Sequence, residues 1–183
     1  MLYLISGTSR SGKTMIAKKI KLQTGISYLS LDWLVMGFTN GIPEYGINDK
    51  LFPDEIAEKI WKFFKAVCEN IIWSGVDYII EGEAMLPELM DELLKKYPNK
   101  IKICFVGYCE VDINQKFKDI KNFSEGDSDW LSNESDEYII NHLENMKNYS
   151  KRIKNSAEKL DIKYFDTSQN FTEIIEAAVD SLL

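Results

Sequence analysis

Gly7-Thr8-Ser9-Arg10-Ser11-Gly12-Lys13-Thr14 sets two glycines, a lysine and a hydroxyl at the spacing G-x-x-x-x-G-K-[ST], the spacing of a loop that wraps a phosphate group. Gly7 and Gly12 permit backbone conformations and a closeness of approach that a Cβ blocks, so successive N–H groups can turn inward around phosphate oxygens. Lys13 is expected to reach the outer phosphates as a point charge, and the Thr14 hydroxyl to help hold a Mg²⁺ carried by a nucleotide. The flanks agree. Leu2-Tyr3-Leu4-Ile5 is a β-prone run, and Met15, Ile16, Ala17 and Ile20 recur at helical spacing after the loop, placing the positive end of a helix against the bound anion.

Acidic residues at the ends of apolar runs come next, because an open parallel sheet binds ligands outside the carboxyl ends of its strands. Asp32 follows Tyr28-Leu29-Ser30-Leu31 and can accept the proton of an attacking hydroxyl; it can also cap a helix beginning at Trp33. Glu81 ends Asp77-Tyr78-Ile79-Ile80 and is a candidate magnesium ligand, with Glu83 two residues on as its competitor. Asp166-Thr167-Ser168 follows the last apolar run, where it can cap the final helix or border a nucleotide base. Arg10 and Arg152 are candidates for neutralising charge on a transferring phosphoryl group; Lys116, Lys118, Lys121 and Lys151 offer charge without arginine's bidentate geometry.

The elements that must position these groups read as an alternation. Apolar runs at 2–6, 27–31, 78–81, 101–107 and 162–166 are separated by helical patterns at 13–23, 54–73, 87–97, 111–120, 135–160 and 171–183. This predicts an α/β domain, a mainly parallel sheet with crossovers on both faces. The stripes Ile56, Ile60, Phe63, Phe64, Val67, Ile71 and Ile139, Leu143, Met146, Ile153, Ala157, Leu160 are expected to be core. Two segments interrupt the regularity: 37–53, rich in glycine, proline and aromatics, and 121–136, polar and acidic around Trp130. Loops of that length in a compact domain often act as lids or substrate loops. Trp33, Phe38 and Tyr45 can line a pocket or pack in the core.

Composition bounds the function. The 183 residues suit one domain, and 45% apolar with 28% charged content is that of an ordinary globular protein. A net charge of −7 argues against a broad nucleic-acid surface. No apolar stretch approaches the roughly 20 residues that span a bilayer, so the expectation is a cytoplasmic protein with no membrane partner. Cys68, Cys104 and Cys109 lack zinc-type spacing and read as buried free thiols. His142, the only histidine, reads as a helix-surface or boundary residue.

With these residues in view, the chain resembles the P-loop kinases of the nucleoside-monophosphate-kinase-like group, which includes adenylate, shikimate and gluconate kinases. The resemblance implies a three-layer fold with a five-stranded parallel sheet in the order 2-3-1-4-5. It implies an ATP donor on the loop from Gly7 to Thr14, an acceptor site in the segment 32–53 after the second strand, and a lid at 121–136. It matches Asp32 to the acidic residue that follows strand 2 in kinases of small hydroxylated acceptors. One departure matters: segment 121–136 contains no arginine and includes Glu125, Asp127, Asp129, Glu134 and Asp136. Such a segment repels an anionic acceptor. The expectation is an ATP- and Mg²⁺-dependent transfer to a neutral or cationic small hydroxyl compound; a nucleoside-monophosphate kinase and a regulatory nucleotide-binding protein are the alternatives.

Overall fold

A computed structural model of the chain describes residues 1–122 and 129–183. Its architecture follows from β1 (Leu2–Gly7), in which all six residues are buried. Leu2 and Leu4 join one apolar cluster while Tyr3 and Ile5 join another. A strand buried on both faces needs helices above and below the sheet.

The chain supplies them in order: α1 (Lys13–Thr24), β2 (Tyr28–Ser30), α2 (Leu31–Gly41), a 3₁₀ turn at Pro43–Tyr45, α3 (Pro53–Ser74), β3 (Tyr78–Gly82), α4 (Pro87–Lys96), β4 (Ile101–Gly107), α5 (Ile113–Asn122), α6 (Asp136–Lys159), β5 (Lys163–Asp166) and α7 (Phe171–Leu182). The five strands form one parallel sheet in the order β2-β3-β1-β4-β5. One face is covered by α1 and α7 through Ile16, Ala17, Ile20, Ile175 and Val179. The larger core on the other face takes Val35, Phe38, Ile60, Phe64, Leu93, Leu143 and Ile153 from α2, α3, α4 and α6. Register then gathers the carboxyl ends: Ser30 lies beside Glu81, Ser6 beside Gly82, Gly7 beside Val106 and Gly107 beside Asp166.

Several sequence expectations change. Residues 37–41 are not irregular; they complete α2, which runs directly on from β2 because Leu31, Val35 and Phe38 at helical spacing bury themselves in the core. Asp32 lies in the first turn of α2, and Ser30 takes the N-cap position. Asn170, not Asp166-Thr167-Ser168, precedes α7 as its N-cap. Phe38 is core, but Trp33 is 64% exposed and Phe63 40% exposed. The three cysteines are buried and free, and His142 is half-buried between Trp130 and Tyr138. Part of the expected lid, 123–128 with Glu125 and Asp127, lies outside the described residues. Among the described residues no helix is long and apolar enough to cross a membrane.

Candidate active site

The loop between β1 and α1 has the shape its glycines require. Gly7 and Gly12 have φ of 136° and 104°, and a Cβ on Gly7 would strike the Val106 carbonyl. Arg10 adopts the left-handed region without being glycine, at φ 61°, one of three such residues among those described and the one inside the loop. This turning of the backbone is the geometry of an anion-binding nest. No side chain caps α1, so its first N–H groups remain available to a ligand at the positive end of the helix. The Ser11 hydroxyl is buried with no hydrogen-bond partner among the described residues, a polar atom that phosphate oxygens would satisfy.

Lys13 is only 6% exposed. Its ammonium donates to the Thr8 carbonyl at 2.8 Å and approaches Glu83 Oε1 at 3.5 Å. The loop is tied to the body of the domain from below: Thr8 Oγ1 and Ser150 Oγ share a hydrogen bond at 3.0 Å, and the Tyr108 N–H donates to the same Ser150 oxygen at 3.0 Å.

The acidic residues converge on Lys13. Glu81 is 2% exposed, and the hydroxyls of Ser30 and Thr14 favour its charged form. Burial pushes its carboxyl above the ordinary range, Lys13 pulls it back and Asp32 pushes it further. Asp32 stands in the mouth of the cleft, where water reaches it although protein crowds around it. That crowding, and then the Glu83 charge, raise its pKa, opposed by Lys13 and by the Glu83 backbone N–H that donates to it. Thr14 and Glu81 thus offer adjoining hard oxygen donors, the kind Mg²⁺ takes from protein when phosphates and waters complete its shell. Among the described residues there is no cluster of three or more His, Cys, Asp or Glu residues suited to holding a metal by themselves.

The two arginines are already engaged. Both terminal guanidinium nitrogens of Arg10 grip the carboxylate of Asp129, one of them at 2.9 Å. Arg152 pairs with Asp54 at 2.6 Å and lies 4.9 Å from the centre of the Tyr149 ring; neither contact is with the loop. Asp129, read as part of a repelling acidic lid, is instead a buried partner of the loop, and Asp136 pairs with Lys121 at 3.1 Å. Lys151 pairs with Glu110. Lys116 is different: it donates to the Arg10 carbonyl at 3.0 Å and sits 4.3 Å over the Tyr108 ring, where burial lowers its pKa to about 8.

Asp166 closes the far side, accepting from the N–H of Cys109 and from both the N–H and the hydroxyl of Ser168. Thr167 bonds the Gly107 carbonyl at 3.1 Å. Ser150, Tyr108 and Tyr149 were not singled out by the sequence. Their partners lie far off in the chain, 142 residues for Thr8 and Ser150, and no local spacing signals such a contact.

No protein-family model and no curated protein sequence matches the chain. Solved structures do. A shikimate kinase from Bacteroides thetaiotaomicron aligns over 100% of this chain and 96% of its own at 16% identity and TM-score 0.58. A gluconokinase from Sinorhizobium meliloti 1021 covers 98% and 90% at 16% identity and TM-score 0.54. A sugar kinase from a Janibacter species covers 99% and 93% at 20% identity and TM-score 0.55. The protein therefore shares the P-loop fold of these structures, with the strand order that the resemblance implied.

Proposed function

We propose that the protein is a phosphotransferase that moves the γ-phosphoryl group of ATP to a hydroxyl of a small molecule. The reading is carried by one juxtaposition: Asp32, Glu81 and Lys13, from three different elements, interact electrostatically beside the phosphate loop. A nucleotide-binding site alone needs the loop and a metal ligand; it does not need a second carboxylate open to the cleft. The structurally similar shikimate, gluconate and sugar kinases support the same assignment.

In this reading the loop N–H groups, Ser11 and Lys13 hold the phosphates, and Thr14 and Glu81 hold Mg²⁺, which when bound offsets charge on the phosphate oxygens. Asp32 accepts the acceptor hydroxyl's proton as that oxygen bonds to the γ-phosphorus. The bond from the γ-phosphorus to the bridging oxygen breaks, and ADP leaves with the electron pair. Arg10 and Arg152, bound to Asp129 and Asp54, stay outside the catalytic set. An acceptor that is neutral or cationic fits better than a nucleoside monophosphate, because Asp32 and Glu83 face the cleft while Arg152 is neutralised by Asp54.

The test is a panel of polyols, sugars, amino alcohols and nucleoside monophosphates screened for acceptor-dependent ADP release. Release with a hydroxyl compound, abolished by Asp32→Asn with ATP affinity intact, supports the proposal. Ordinary turnover with AMP, CMP, GMP or UMP, or ATP binding with no acceptor-dependent release, overturns it.

A further inference from the structure

The phosphate loop contains a backbone conformation that its own residue does not favour. The Ser11 N–H donates to the Thr8 carbonyl at 3.3 Å, closing a turn over Thr8-Ser9-Arg10-Ser11 in which Arg10, the third residue, has φ 61°. A type II turn requires a positive φ at that place and selects glycine or asparagine for it. For other L residues the left-handed region is disfavoured by about 5- to 30-fold. The two further non-glycine residues at positive φ among those described, Asp161 and Asn170, have the short polar side chains that tolerate it. Arginine has no such advantage, so contacts from outside the turn must hold it there.

The Arg10 guanidinium is bound by Asp129, but it sits at the end of a flexible side chain and does not fix φ. The main chain is held by Lys116 of α5, whose ammonium donates to the Arg10 carbonyl at 3.0 Å. The same ammonium lies 4.3 Å over the buried Tyr108 ring and 6.0 Å from the centre of the Phe171 ring, so it is seated between the end of β4 and the start of α7. Burial keeps the pKa of this amine down at about 8, a desolvation cost that a lysine reaching freely into solvent escapes.

The conformation at Arg10 governs the ligand side of the loop. A negative φ at the third residue of such a turn reverses the peptide unit before it, here the one between Ser9 and Arg10. The loop's N–H groups then no longer converge as an anion-binding nest requires.

We propose that Lys116 is a positioning residue of the phosphate loop: by holding the Arg10 carbonyl it keeps Arg10 left-handed, and with it the loop in the shape that accepts nucleotide. The inference rests on the reading of the loop as a nucleotide site and adds to it the group that maintains its form.

The experiment is a double-mutant cycle read by calorimetry with a non-hydrolysable ATP analogue and Mg²⁺. Lys116→Met keeps the reach of the side chain and removes the donor, while Arg10→Gly removes the bias against positive φ. Beside wild type, Lys116→Met is expected to weaken nucleotide binding about 5- to 30-fold, the size of that bias. In the Arg10→Gly background the same substitution should change binding less than about 2-fold, because glycine enters the left-handed region without help. Lys116→Ala, used if the methionine variant proves unstable, should show the same coupling. Unchanged affinity in the Lys116 variant overturns the inference. So does an equal loss in both backgrounds, which would mean that Lys116 meets the nucleotide itself and does not act through Arg10. A wild type that binds no ATP analogue would remove the nucleotide reading, and the inference with it.

Discussion

Arg10 and Asp129 form a bidentate pair that fastens the residue after segment 123–128 to the apex of the phosphate loop. Asp129 also accepts the Ser132 N–H at 3.1 Å. Burial alone would raise its carboxyl, but the Arg10 hydrogen bond and the N–H of Ser132 hold it below the ordinary range. The pair's contribution to stability is therefore present above the unfolded-state pKa of aspartate and is lost as pH falls through the lower folded value. Asp129→Asn should free the Arg10 guanidinium for phosphate and tighten ATP analogue binding severalfold at neutral pH, with thermal stability lowered. An unchanged dissociation constant would mean that Asp129 does not compete with phosphate for Arg10.

Asp32→Asn should act in opposite directions on activity and on stability. Loss of a general base is expected to lower acceptor turnover about 10²–10⁴-fold while leaving ATP affinity in place. The raised pKa of Asp32 means that the folded chain binds its proton more tightly than the unfolded chain does. Stability therefore declines as pH rises from the ordinary aspartate pKa through the folded value, and the deficit persists at neutral pH. Asparagine removes that deficit, so the variant's melting temperature should exceed the wild type's at pH 7 and match it below the aspartate range. The same sign applies to the rate: the acid limb of the turnover profile should lie above the ordinary carboxylate range, and it should move down in Glu83→Gln.

Ser150→Ala tests the coupling of α6 to the loop. Its buried oxygen serves both the Tyr108 N–H and Thr8 Oγ1, so removing it leaves two buried polar groups unpaired. A cost of about 1–3 kcal/mol in denaturant unfolding is expected, with weaker nucleotide binding because Thr8 carries the carbonyl that receives Lys13. A loss of stability with unaltered nucleotide affinity would show that the loop holds its shape without α6.

How much of this was legible in the sequence follows from the range of the interactions. The phosphate-loop motif and the five strands rest on fixed spacing and on local runs, and each lies where the sequence put it; the sheet order was implied by the resemblance and not by any local run. Helix α2 was partly hidden: Gly37, Asn40 and Gly41 lower its intrinsic propensity, while Leu31, Val35 and Phe38 hold it by tertiary burial. Arg10 illustrates the opposite case: its place in the loop suggested a role on phosphate, and the structure adds a partner that no local spacing signals, Asp129, 119 residues away. Charge in the segment around Asp129 was countable from sequence; its neutralisation was not.

Gly7→Ala is the most direct test that the loop's shape, and not only its charge, makes the site. At φ 136° an alanine is strained whatever surrounds it, and here its methyl would collide with the backbone carbonyl of Val106, which cannot swing aside as a side chain could. That carbonyl also accepts the Thr8 N–H at 3.1 Å, so relieving the clash would pull β4 from the start of the loop. The variant should lose nucleotide binding beyond detection and unfold at lower temperature than wild type. Lys13→Ala leaves the backbone conformation intact and removes one charged donor, so it should weaken binding about 10- to 100-fold with little change in melting temperature. Comparing the two separates the cradle from the cation. Equal losses in both variants, with no added instability in Gly7→Ala, would show that the loop relaxes around a Cβ and that Lys13 alone supplies the affinity.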